Sequence, residues 1–204
     1  MNKRVAMDGL KKKGKTLLEE VFATHGKASV FGDGSLDAKL MLVGEAPGEQ
    51  EALQGKPFVG KAGKNLDGFL QTLNVSRKDI WITNVVKIRP VKTHPRTGSL
   101  SNRPPTREEI ELCFHMLLGE IEIIKPRVVV TLGNVALKAA SDDRKAVIGA
   151  YHGRPRETCL HGCEFTLFPL YHPASIIYNR ELASVYQEDL LELRKYLGQM
   201  QIIN

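Results

Sequence analysis

The stretch Gly44 to Gly63, GEAPGEQEALQGKPFVGKAG, constrains this chain more than any other. An apolar run, Lys39 to Val43, leads straight into it, and a helical pattern from Lys64 to Leu73 follows. A strand that runs into a Gly/Pro loop and then a helix is the usual position of a ligand crevice in an α/β domain. Gly44, Gly48, Gly55, Gly60 and Gly63 let the backbone turn sharply and come close to a ligand. Between them stand the carboxylates Glu45, Glu49 and Glu51 and a lone aromatic, Phe58. A loop that had only to turn would need neither. Solvated acids and a ring that plugs the core are the plain alternative.

The rest of the chain alternates strand and helix patterns. Leu10 to Thr24 carries Leu17, Leu18, Val21 and Phe22 at helical spacing behind the solvated run Lys11 to Lys13 and Lys15, and His25-Gly26 ends it. Ala38 to Val43 predicts a first strand, Ala62 to Leu73 a helix, and Ile80 to Val86 a buried second strand. Lys87 to Thr106 is a long irregular, proline-rich loop with the bases Lys87, Arg89, Lys92, Arg96 and Arg103. Thr106 and Glu109 form a capping box for a helix to Ile124, which Pro126 stops. Val128 to Leu132 is the third strand, and Gly133 opens a short helix. Ile148 to Leu170 reads as a hairpin turning near His161-Gly162, and Leu182 to Leu197 as an amphipathic helix. This grammar predicts an α/β fold with a short, mostly parallel four-stranded sheet covered on both faces.

The 204 residues suit one domain, residues 1–204, with residues 1–35 as an N-terminal helical extension. The balance of 29 basic against 23 acidic residues, +6, favours a polyanionic partner. Cys113, Cys159 and Cys163 are too few and scattered for a disulfide framework, which predicts a reducing, cytoplasmic setting. No apolar run approaches the roughly 20 residues of a membrane span, and no secretory signal is expected.

Four blocks, GEAPGEQE, KPFVGKAG, TNVVKIRP and YHPA, resemble in order and spacing the uracil-DNA glycosylase superfamily, nearest its bacterial and archaeal family 4 branch. The resemblance runs from Leu40 to about Arg180. It implies a three-layer α/β/α sandwich and an enzyme that extrudes uracil from DNA, hydrolyses its bond to the sugar and so initiates base-excision repair. It implies uracil-containing DNA as partner, no membrane, and a monomer. By the same resemblance, Phe58 stacks on the base, Asn84 reads O4 and N3–H, Ala46 lines the pocket, and His172 donates to O2 as negative charge develops. Glu45 is the preferred carboxylate to steady the sugar cation or orient water. Glu51 is the second, placed near uracil C5, where it would exclude the thymine methyl. In other branches the water-orienting acid falls one position later, at Ala46 here. DNA contacts fall on Lys56, Lys61, Lys64, Asn134 and Ser175, with Ile176 and Ile177 as an apolar wedge in the base stack.

Departures from the family pattern are concentrated in its metal centre. Family 4 enzymes carry a four-iron cluster on four cysteines: two near the N-terminus, one in a KCRP block and one in the next helix. This chain has no N-terminal cysteine and reads Lys87-Ile88-Arg89-Pro90, so only Cys113 matches, and no cofactor is expected. Cys159, His161 and Cys163 lack the fourth ligand of a zinc site. Tyr178 stands where the family has an arginine, with Arg180 two later. Two other functions stay open on the residues: a non-catalytic DNA-binding module, and a glycosylase for another deaminated base such as hypoxanthine.

Overall fold

The computed structural model describes residues 2–22, 28–178 and 181–203; of Lys61 and residues 176–178 only the backbone is described. The expected helix end at His25-Gly26 and the position of Arg180 lie outside the described residues.

A central sheet is built from β1 (Asp33–Gly34), β2 (Leu40–Gly44), β3 (Trp81–Asn84), β6 (Val128–Leu132), β7 (Arg156–Leu160) and β8 (Cys163–Leu170), in the order β1-β3-β2-β6-β8-β7. The four inner strands are parallel, as the alternation of patterns requires. The expectation of four strands is corrected to six: short β1 and β7 close the two edges antiparallel. β1 is too short to leave a periodic signal. β7 joins β8 through His161 and Gly162, both at positive φ (49° and 85°), the geometry of a two-residue hairpin turn.

Alternate residues of each inner strand enter opposite cores, as a period of two demands. Met41, Val43, Trp81 and Val129 pack with α1 (Lys3–Phe22), α4 (Arg107–Ile124) and α5 (Asn134–Ser141). Leu40, Leu42, Ile82 and Val130 pack with α3 (Lys61–Leu73) and α8 (Glu181–Gln199). The three-layer α/β/α sandwich is thus present. Of the face expected on α1, Leu18 is buried and Phe22 packs against the core, but Met7 and Gly14 complete the buried face while Leu17 and Val21 are 39% and 53% exposed. Lys11, expected in solvent, donates from Nζ to the Gly32 carbonyl at 2.9 Å.

Three short helices interrupt stretches read as loop or strand: α2 (Glu49–Gln54), α6 (Ile148–Tyr151) and α7 (Pro173–Tyr178). α6 corrects the start of the expected hairpin at Ile148. The loop from Lys87 to Thr106 is also not irregular throughout, because β4 (Val91–Thr93) and β5 (Leu100–Asn102) pair as an antiparallel ribbon. Among the described residues no helix is long and apolar enough to cross a membrane.

Candidate active site

The carboxyl ends of the parallel strands meet the crevice. Glu45 and Ala46 leave β2, Asn84 ends β3, and His172 lies just past β8. The backbone beyond β3 is tied to that beyond β2, with Val85 N–H donating to Gly44 O at 2.9 Å and Val86 N–H to Glu45 O at 3.0 Å. A cavity of about 590 Å³ opens there, walled by Ala46, Glu51, Phe58, Asn84, Arg89, Asn102 and His172, among others. A smaller recess of about 350 Å³ shares Ala46, Asn102 and His172 with it and adds Glu45 and Ser175.

Asn84 is only 3% exposed, yet its side-chain amide makes no hydrogen bond within the protein among the described residues. Its own carbonyl is fixed, accepting from Lys87 Nζ at 2.7 Å. A buried amide without a partner is costly, so one turned into a cavity is matched to what enters that cavity. Phe58 stands against the same spot. A Cβ on Gly44 would lie 2.4 Å from Asn84 Oδ1 and 2.5 Å from Phe58 Cζ, so only glycine lets the amide and the ring converge. Phe58 itself holds φ 53°, a left-handed conformation that a bulky residue rarely adopts. Arg77 supports that turn, donating from Nη2 to Phe58 O at 2.8 Å and to Gly63 O at 3.2 Å.

Glu51 has its carboxylate engaged. Oε2 accepts from Gly48 N–H at 3.1 Å, and Oε1 from Val59 N–H at 3.0 Å and Gly60 N–H at 2.7 Å. Gly48 and Gly60 cap α2 and α3, so one buried side chain joins both halves of the glycine-rich stretch. Glu45 is different: half-buried, it has no ion pair among the described residues, and burial raises its carboxyl pKa above the ordinary value. His172 is held on its inner nitrogen, where Nδ1 lies 3.1 Å from Ala174 N–H. A backbone N–H can only donate, so the neutral ring carries its proton on Nε2. Burial lowers the His172 pKa and keeps the ring neutral.

The expected DNA contacts are less concentrated. Lys56 and Lys64 are exposed at the rim of the first loop, and Ser175 is exposed beside the recess. Asn134 is exposed at the start of α5, but its Oδ1 already accepts from Ile148 N–H at 2.8 Å. Lys61, Ile176 and Ile177 lie on α3 and α7, and their side chains are outside the described residues. Lys87, counted among the loop bases, is instead wholly buried. Its Nζ meets Glu120 Oε2 and Thr83 Oγ1, each at 2.7 Å, beneath Asn84. Arg89 and Asn102 wall the cavity and bond each other at 2.8 Å; Asn102 carried no signal in the sequence.

A family model described as the uracil DNA glycosylase superfamily matches residues 31–195, which span every element of this crevice. The chain belongs to the uracil DNA glycosylase superfamily. It is 37% identical over 176 residues to a type-4 uracil-DNA glycosylase of Saccharolobus solfataricus, covering 84% of this chain and 77% of that one. The type-4 enzyme of Thermotoga maritima is 39% identical over 170 residues, 82% of each chain. That of Pyrobaculum aerophilum is 38% identical over 169 residues, 81% of this chain and 82% of its own.

The residues at two positions where the family 4 pattern has cluster cysteines, Ile88 and Cys113, do not fit iron. Ile88 is 1% exposed and Cys113 fully buried in one apolar cluster with Met7, Phe31 and Met116. Cys113 Sγ is met by Lys87 N–H at 3.4 Å, and burial pushes its thiol pKa up. Cys159 and Cys163 stand on β7 and β8, at the far edge of the sheet from β3. Among the described residues no group of three or more His, Cys, Asp or Glu could hold a metal ion.

Proposed function

We propose that this protein is a uracil-DNA glycosylase that draws uracil out of DNA into the cavity and hydrolyses its N-glycosidic bond, the first step of base-excision repair. The observation that carries this is the unpaired Asn84 amide, facing the cavity beside the Phe58 ring. The amide oxygen accepts from uracil N3–H and its nitrogen donates to O4. Cytosine presents the reverse pattern and leaves both groups unpaired. Phe58 stacks on the base, a contact worth about 1–3 kcal/mol.

Breaking the bond leaves the sugar cation-like and the base an anion. His172 Nε2–H donates to O2 as that charge grows, and a neutral donor does so without a prior ion pair at the base. Glu45, in the adjoining recess, steadies the sugar cation and orients the water whose oxygen bonds to C1′ as the C1′–N1 electron pair leaves with uracil, and its carboxylate takes the proton that the water gives up. Glu51, pinned by three backbone N–H groups, shapes the wall at uracil C5 and leaves no room for the thymine methyl. Lys56, Lys61, Lys64, Asn134 and Ser175 hold the DNA backbone, and Ile176 and Ile177 wedge into the gap left by the base.

The enzyme works without an iron–sulfur cluster, a reading supported by Ile88 and Cys113 filling their positions within the core. We read it as a monomer, and as working in a reducing cytoplasm, which its free cysteines support. The test is uracil release from a labelled oligonucleotide by wild type and Asn84→Asp, with DNA binding measured alongside. The introduced carboxylate would repel uracil O4, so release falls on the order of a hundred- to ten-thousand-fold. DNA affinity persists, because phosphate contacts dominate it. Undiminished release by the variant would remove Asn84 from the pocket and overturn the mechanism.

A further inference from the structure

The ribbon between β3 and α4 is not accounted for by the pocket. Val91, Lys92 and Thr93 pair with Asn102, Ser101 and Leu100. The tip is closed by its own bonds: His94 N–H to Ser99 O at 2.8 Å and Gly98 N–H to His94 O at 3.0 Å. His94 Nδ1 also accepts from the backbone of Arg96 and Thr97, both at 3.3 Å. The turn is therefore built, although residues 92–102 are all exposed.

Its charges divide sharply. At the base, Arg89 pairs with Glu49 at 3.1 Å and Arg103 with Glu109 at 2.7 Å. Arg89 Nε also donates to Asn102, and Arg103 Nε to Val91 O at 3.1 Å, so the ribbon is fastened to the cavity wall. Beyond the base, residues 91–102 read VKTHPRTGSLSN, with no carboxylate at all. Lys92 and Arg96 have no acidic partner among the described residues. The same ribbon carries the hydroxyls of Thr97, Ser99 and Ser101 and the exposed Leu100, with Ser101 opposite Lys92. Folding alone gives no reason to project unpaired cations and hydroxyls, free of acids, from the rim of a base pocket. A strand of phosphates does, because each neutralised phosphate releases its condensed counterion.

We propose that the ribbon 91–102 is a phosphate-tracking arm, which grips the DNA backbone beside the flipped nucleotide through Lys92 and Arg96. The inference rests on the glycosylase reading of the pocket only for the position of the flipped base. The arm itself needs DNA and no chemistry.

The test is equilibrium binding of the full chain to a uracil-free duplex oligonucleotide across a series of NaCl concentrations. Wild type is compared with Lys92→Ala/Arg96→Ala and with Lys12→Ala/Lys13→Ala, which removes the same charge from exposed positions on α1. The ribbon variant is expected to lower the slope of log K against log salt by roughly 1.8, about 0.9 for each lost phosphate contact. The α1 variant keeps the wild-type slope. A wild-type slope in the ribbon variant, an equal loss in the α1 variant, or no salt-dependent binding by wild type would each overturn the arm. Uracil release by wild type is measured on the same preparation. A reduced slope without release leaves the arm standing and removes the glycosylase reading; release with an unchanged slope does the reverse.

Discussion

Among single residues, two positions set what the pocket can do. Gly44 makes room for Asn84 and Phe58 at once. Gly44→Ala would drive a methyl group into both, so uracil release is expected to fall at least tenfold while DNA binding holds, measured on the same oligonucleotide. Glu45 carries a cost in stability. Its folded pKa is raised by burial, so the folded protein favours the protonated acid. The stability this gives is present at low pH and lost as pH rises through the folded pKa, leaving a buried anion that destabilises the protein near neutrality. Glu45→Gln is therefore expected to raise the urea midpoint at pH 7 and to cut uracil release by about 10²–10³. Wild-type release should fall on acidification through a pKa above the 4.5 of an ordinary glutamate, and that limb should vanish in the variant. An unchanged acid limb would mean another group supplies it. Lys87 acts from below the pocket: Lys87→Met leaves the buried Glu120 carboxylate without its counter-ion, though still bonded by Thr83 and Gly32, and should cost about 3–5 kcal/mol in denaturant unfolding.

Among the elements, the glycine-rich stretch is two helix starts tied by one carboxylate. Glu51→Gln keeps the shape of that side chain but loses the charge and one of the accepting oxygens. It should destabilise the protein by about 1–3 kcal/mol in urea unfolding, in contrast to Glu45→Gln. A gain in stability would show that the brace is not felt. The long elements were legible because apolar periodicity persists over several turns: Thr106 and Glu109 do form a capping box, and α4 does run to Ile124. The short ones were not. α2 lies within a stretch rich in glycine and charge, where its single exposed Leu53 gives no stripe to read, and Ile148 to Tyr151 is too brief to separate one helical turn from a strand. The ribbon strands β4 and β5 have three residues each, VKT and LSN, too few for an alternation to mark them as strand.

For the molecule as a whole, apolar packing occupies two positions where the family 4 pattern has cysteines: Ile88 and Cys113 lie buried in one apolar cluster. The purified protein is expected to be colourless and free of iron by metal analysis, and a chelator should leave its unfolding midpoint unchanged; visible charge-transfer absorbance with bound iron would refute this. The α/β alternation, the parallel inner strands and, of the residues that meet in the crevice, Ala46, Glu51, Phe58, Asn84 and His172 could be read along the chain, whereas Asn102 could not. Each follows from local pattern, or from blocks whose order and spacing match the superfamily. What each of those residues is free to do emerges only in three dimensions. Glu45, Glu49 and Glu51 look alike along the chain. Yet Glu51 is spent on backbone N–H groups from two helix starts, Glu49 pairs with Arg89 across 40 residues of sequence, and Glu45 has neither kind of partner among the described residues. Lys87 and Lys92 likewise stand five positions apart in one basic stretch, one sealed under Asn84 and the other in solvent. Hydrogen-bond and charge partners are set by contacts between residues distant in the chain, and local composition carries no record of them.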